Sequence, residues 1–124
     1  MRVYLNAWFA RFARKEGIAA DALWDAVDRA EQGLIDADLG GGVIKQRIAR
    51  VGGGKAKGYR SIVLYCKADR AFFVFGFPKS VQGNIGADEA LQFKKMAKHV
   101  LALADEPLQR LIDSGQFEEL VKDA

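Results

Sequence analysis

The chain has 124 residues, half of them hydrophobic, a formal net charge of +3 and one cysteine. That length closes one hydrophobic core and leaves no room for a second, so residues 1–124 are expected to form a single domain. The lone Cys66 excludes an intramolecular disulfide, and no apolar run is long enough for a signal peptide or a membrane span, so the sequence predicts a cytoplasmic protein with no membrane partner.

Leu5, Trp8, Phe9 and Phe12 recur at helical spacing with Arg11, Arg14 and Lys15 on other faces, which predicts a first helix over about residues 6–16, stopped by Gly17. Asp21 fits the N-cap of a second helix in which Leu23, Val27, Ala30 and Leu34 keep the helical period while Asp25, Asp28 and Glu31 face outward. The two should form a hairpin whose acidic second helix is either a solvated face or a surface for a basic partner. Asp36 to Gly42 reads as a loop. From Val43 to Arg50 the period drops to two, with Ile44 and Ile48 on one side and Lys45 and Arg47 on the other, so this is a half-buried strand with a cationic outer face. Val51 to Gly58 reads as a Gly- and Lys-rich loop, Tyr59 to Lys67 as a second strand, Ala68 to Arg70 as a tight turn, and Ala71 to Phe77 as a third strand ended by Pro78. Short connections make these three an antiparallel meander, and Arg2 to Leu5 is compatible with a short extra strand at its edge.

A loop carrying Asn84 follows, then a helix from Asp88 to about Ala104 with Phe93, Ala97, Val100, Leu101 and Ala104 inward and Lys94, Lys95 and Lys98 outward. A short helix near Pro107 should stop at Gly115, and residues 116–124 fit a helical turn and a late edge strand equally. The expected class is therefore α+β: an N-terminal helical hairpin, a small antiparallel sheet and a C-terminal helix. Spacing assigns Trp8, Phe12, Leu23, Val27, Phe93 and Val100 to the core, and Cys66, inside an apolar β-rich run, reads as a small buried hydrophobe.

Charge is distributed unevenly. Val43 to Lys79 holds nine of the nineteen Lys and Arg and one acid, Asp69, whereas the rest of the chain has ten bases against fifteen acids. A cationic central segment flanked by acidic helices points to a polyanion, above all a nucleic acid. Other chemistries lack their residues. Gly52 to Gly54 before Lys55 is not a nucleotide phosphate loop, because Ala49 and Ala56 stand where a glycine and a hydroxyl are needed. The only histidine, His99, has no Cys or His at ligand spacing and reads as a helix-surface or packing residue, so neither a metal nor a cofactor is implied. The cationic segment has no histidine and one acid, which leaves no triad and no carboxylate pair.

What remains is the cations themselves. Lys45 and Arg47 share a strand face, Lys55 and Lys57 follow, and Arg60 opens the next strand, so sheet spacing brings most of them together. Such a cluster can hold a scissile phosphate and stabilise the added charge of a pentacovalent transition state, and a lysine flanked by cations can serve as a base. RNA cleavage of this kind needs no metal, since the neighbouring 2′-hydroxyl is the nucleophile. On charge alone, a solvated basic face and general nucleic-acid binding fit equally well.

The run Val43-Ile44-Lys45-Gln46-Arg47-Ile48-Ala49-Arg50, then Gly58-Tyr59-Arg60, Asp69-Arg70-Ala71-Phe72-Phe73-Val74-Phe75-Gly76-Phe77, Lys79-Ser80 and Asn84-Ile85 resembles the RelE/ParE superfamily of toxins, and within it the HigB-type RelE toxins of bacterial type II toxin–antitoxin systems. The likeness includes Trp8-Phe9 and Gly33 to Gly42. It implies a sheet packed by the helical hairpin and a metal-independent, ribosome-associated mRNA endoribonuclease that inhibits translation. Its partners would be mRNA, the ribosome and a cognate antitoxin, a small helix-turn-helix protein. The resemblance makes Lys45, Arg47 and Arg60 the catalytic set, with Lys45 or a neighbour as base and the two arginines on the phosphate. Arg50, Lys55, Lys57, Lys79 and Asn84 are the accompanying candidates for RNA and phosphate binding. Two departures stand out: Val81-Gln82 occupies the place of the family's Glu-Arg, and Ile85-Gly86 that of a tyrosine found in some members. They keep open a non-cleaving alternative, either a gyrase inhibitor like the ParE branch or a protein that only binds RNA or ribosomes.

Overall fold

The computed structural model describes residues 1–50, 54–79 and 84–122, with the side chains of residues 50 and 54–57 outside that description. The elements in chain order are β1 (Arg2–Asn6), α1 (Ala7–Glu16), α2 (Ala20–Glu31), β2 (Ala37–Gly40), β3 (Val43–Arg50), β4 (Gly54–Cys66), β5 (Arg70–Pro78), α3 (Ala87–Val100), α4 (Asp105–Asp113) and β6 (Phe117–Leu120). The α+β class expected from the sequence holds, but the meander of three strands is the centre of a six-stranded sheet ordered β2-β3-β4-β5-β1-β6. All neighbours are antiparallel except β1 and β5.

Helices α1 and α2 cover one face of this sheet, over Val3, Leu5, Ile44, Ile48, Val63 and Phe73; α3 and α4 cover the other, over Tyr4, Val43, Ile62, Leu64 and Phe72. Period two assigns each strand residue to one of these faces. A bulge in β5 resets that assignment: Ile62 pairs with Phe75 and Val63 with Phe73, so Val74 is the extra residue. Without it Phe73 and Phe75 would share a face; with it, Phe73 lies under α1 and Phe75 joins the α3 side. Asn6 locks the arrangement. Its Oδ1 accepts the Phe9 N–H at 2.7 Å, capping α1, and its Nδ2 donates to the Val74 carbonyl at 3.0 Å.

Several expectations are corrected. Asp36 to Gly42 is not all loop: the short edge strand β2 pairs with β3 there, disguised by Asp38 and Gly40. Strand β4 begins at Gly54, so the second half of the Val51 to Gly58 loop is strand, while Val51 to Gly53 lie outside the described residues. Strand β1 sits between β5 and β6 rather than at an edge, and β6 settles the fate of the C-terminal segment, held in part by Arg2, whose guanidinium gives Glu119 two hydrogen bonds of 2.9 and 2.8 Å and holds that carboxyl below its usual range. Helix α2 is capped at Ala19 with no side-chain bond and puts Asp21 in its first turn instead. It stops at Glu31, so Leu34 is exposed, and Glu31 itself takes the Tyr65 hydroxyl and the Ala68 N–H. Helix α3 ends at Val100, leaving Ala104 exposed as the residue before α4. Cys66 is exposed, because β4 ends there in the solvated Lys67–Asp69 turn. Leu23, Val27 and Val100 are core as expected, Phe12 and Phe93 are half-buried, and Trp8 is exposed. His99 lies on the surface of α3, and among the described residues no helix is long and apolar enough to cross a membrane.

At Gly76 two rings of α1 lie close against the sheet backbone. A Cβ there would lie 2.8 Å from Phe12 and 2.9 Å from Phe9 ring carbons, so the bare backbone is what admits both rings. Phe9 is fully buried and cannot retreat. Gly76→Ala is expected to destabilise the fold by about 1–3 kcal/mol in urea unfolding, as overpacking of a closed site does; an unchanged midpoint would mean that α1 yields freely.

Candidate nucleic-acid interface

Strands β3 and β4 pair with Lys45 opposite Ile62 and Arg47 opposite Arg60. Which face carries these cations is decided by what alternates with them. Gln46, only 2 % exposed, turns toward α2, where its Nε2 donates to the carbonyls of Ala26 at 2.9 Å and Leu34 at 3.2 Å and its Oε1 accepts the Asp36 N–H at 2.8 Å. Opposite it, the Ser61 hydroxyl donates to the Gln46 carbonyl at 2.8 Å. A slip of one residue would expose this network and bury Lys45 and Arg47, so the register is strongly specified. Gln46 is thus a positioning residue that sequence reading passed over; its signal was a polar side chain on the apolar phase of an alternating strand.

The backbone of Arg47 is gripped from both sides. Its N–H donates to Asp36 Oδ2 at 2.7 Å, and its carbonyl accepts from the Arg29 guanidinium, which also pairs with Asp25 at 3.1 Å and Asp36 at 3.7 Å. The side chain itself is exposed. Lys45, half-buried, donates from Nζ to Asn84 Oδ1 at 2.8 Å, and the same oxygen accepts the Ile85 N–H at 2.9 Å. Arg60 lies between Arg47 on β3 and Phe77 on β5, and its Nε is buried with no hydrogen-bond partner among the described residues. Two like charges directly opposite across a strand pair destabilise a sheet, and a buried N–H without an acceptor costs more. Among the described residues no hydrogen bond or ion pair of either side chain offsets these costs. An anionic oxygen over the pair would relieve both.

The family model described as the RelE toxin of the RelE / RelB toxin-antitoxin system matches residues 1–120. The chain belongs to the RelE toxin family. It is therefore a toxin of a toxin–antitoxin system, and membership implies an antitoxin partner. No curated protein matches it.

The remaining expected residues of the toxin are placed unequally. Asn84 is brought to Lys45 from 39 positions away, across the approach to α3. Lys79 is exposed at the end of β5, where its N–H reaches the Gly58 carbonyl at 3.5 Å. The Arg50 backbone pairs with Gly54 at the same end of the sheet as Arg47 and Arg60, while the side chains of Arg50, Lys55 and Lys57 lie outside the described residues. So do Val81 and Gln82. At the other departure, Ile85 packs into the core beneath α3 and the Gly86 N–H donates to Glu89 Oε1 at 3.0 Å, so that position serves the helix start.

Proposed function

We propose that this toxin is an endoribonuclease that cuts mRNA at the face formed by Lys45, Arg47 and Arg60. The observation carrying the reading is Arg60, whose buried Nε has no hydrogen-bond partner among the described residues and whose strand position is directly opposite Arg47. In this reading Arg60 and Arg47 hold the scissile phosphate, and Lys45, oriented by Asn84, takes the proton of the adjacent 2′-hydroxyl. The 2′-oxygen then forms its bond to phosphorus as the bond to the 5′-oxygen breaks, leaving a 2′,3′-cyclic phosphate and a 5′-hydroxyl protonated from solvent. Both arginines stabilise the phosphorane charge, the step at which preorganised cations contribute most. Arg50, Lys55, Lys57 and Lys79 take flanking phosphates. The resemblance to HigB-type toxins supports mRNA in the ribosomal A site as substrate.

A non-cleaving mode is favoured by the two departures from the family pattern: Val81-Gln82 in place of Glu-Arg, and Ile85 and Gly86, used in packing and capping, where some members carry a phenol. The decisive experiment adds the purified toxin to translating ribosomes and, separately, to a DNA gyrase supercoiling reaction. Cleaved mRNA ending in cyclic phosphate with gyrase unaffected is the expected result; intact mRNA alongside inhibited gyrase would overturn it. Binding to a single-stranded RNA should also weaken steeply with salt, each neutralised phosphate adding about 0.7 to the log–log slope. A flat response would reduce the cationic face to a solubilising surface.

A further inference from the structure

Strand β1 accompanies β5 only as far as the Leu5–Phe73 pair. Beyond it no strand among the described residues flanks β5 on that side, and the start of α1 follows there, so Trp8 meets Phe75 of the α3 side with ring centroids 4.8 Å apart. From Arg60 an aromatic row runs outward: Phe77 opposite Arg60 on β5, Phe75 at 5.9 Å from Phe77, then Trp8, which stacks on Phe12 at 5.3 Å with an interplanar angle of 14°. Trp8 is the row's open end. At 40 % exposed it is the only aromatic among the large exposed hydrophobic side chains of the described residues.

What surrounds it is cationic. A groove of about 280 Å³ beside the ring is lined by Trp8, Arg11, Phe12 and Lys15, one face of α1 at helical spacing. Arg14 on the same helix pairs with Glu118 at 3.6 Å, but Arg11 and Lys15 have no ion pair or hydrogen bond among the described residues. The only acid of α1 is Glu16, its last residue. A single exposed tryptophan is unremarkable on any surface; one stacked on Phe12, tilted against Phe75 and flanked by two cations with no partner among the described residues joins exposed indole surface to positive charge, the pairing that a planar, negatively charged chain requires.

We infer that Trp8 is a stacking platform for a base of single-stranded RNA, with Arg11 and Lys15 on the adjoining phosphates, a few nucleotides from the phosphate held by Arg60. This deepens the ribonuclease reading and rests on it. Strand spacing of about 4.8 Å puts the platform roughly 10–15 Å from Arg60, within the span of one extended strand. Base–aromatic stacking tolerates any sequence, so the platform would add affinity and register rather than base choice. An acidic protein segment is the competing occupant; the flanking of the ring by cations and its continuity with the Arg60 row favour the nucleic acid.

The test uses the full-length toxin and a dye-labelled single-stranded RNA made uncleavable by 2′-O-methyl groups, read by fluorescence anisotropy. Trp8→Ala is expected to bind roughly five- to 150-fold more weakly, Trp8→Leu, which keeps the packing on Phe12 and Phe75, to be similarly weak, and Trp8→Phe to retain most of the affinity. Arg11→Gln and Lys15→Gln should each lower the salt slope by about 0.7, and RNA should quench Trp8 emission. Wild-type affinity in folded Trp8→Leu overturns the inference, as does a loss confined to binding of the antitoxin, which would make this a protein-docking face. If the wild type cuts mRNA while Trp8→Leu binds normally, the platform alone fails; if the wild type neither cuts nor binds RNA, the ribonuclease reading fails and the platform with it.

Discussion

Arg60→Ala is expected to yield a folded, soluble protein that no longer arrests translation. The stability half of this expectation follows from the environment of the side chain. It lies opposite Phe77 on β5 and opposite Arg47 on β3, and its Nε has no partner among the described residues, so any packing lost with the stem is offset by relief of like-charge repulsion and of an unsatisfied donor. The net change should stay within about 1 kcal/mol by urea unfolding. The activity half follows from chemistry: a group that stabilises the phosphorane or moves the 2′-hydroxyl proton contributes about 10²–10⁴ in rate. Lys45→Ala and Arg47→Ala should behave alike, since Lys45 Nζ is held at Asn84 and Arg47 is exposed on a clamped backbone. His99→Ala and Cys66→Ser, both at exposed positions away from this face, should still arrest growth. Full toxicity in folded Arg60→Ala would remove both the ribonuclease reading and its site in favour of a binding mechanism.

The face carrying Lys45 and Arg47 was legible because a strand repeats every two residues, and Ile44 and Ile48 mark the buried phase without help from the rest of the chain. Arg60 was harder. Its place opposite Arg47 depends on the length of the β3–β4 connection, and a glycine- and lysine-rich segment gives no sign that β4 starts as early as Gly54. Long-range pairings were illegible for a related reason: β1 finds β5 across nearly seventy residues, and Asn84 reaches Lys45 across 39, and local periodicity is silent about both. Trp8 illustrates a third limit. Its spacing with Phe9 and Phe12 is that of a core residue, yet α1 overhangs the point where β1 stops flanking β5, so part of the apolar stripe is left without a sheet beneath it. Periodicity reports which side of a helix is apolar, not how far the layer below extends.

Phe9→Ala should be the most damaging single truncation in the helical layer. Phe9 is 0 % exposed, tilts against Phe73 at 5.1 Å and Phe12 at 5.6 Å, and rests on the bare backbone of Gly76. Removing a buried phenyl ring costs about 3–5 kcal/mol, more when the surroundings cannot collapse into the space. Here they cannot: Gly76 has no side chain to move inward, and the helix start is pinned by Asn6, bonded at once to the Phe9 N–H and to the bulged Val74 carbonyl. The loss should therefore fall in the upper part of that range, read as a lower urea midpoint at an unchanged slope. Phe93→Ala is the comparison that gives this meaning. That ring is half-buried, meets Phe75 at 5.9 Å and has solvent on one side, so its truncation leaves less of a cavity and should cost clearly less. Equal costs would show that α1 and α3 share the core evenly. A smaller cost for Phe9→Ala would mean that α1 can settle onto Gly76, and the same movement would carry Trp8 away from Phe75.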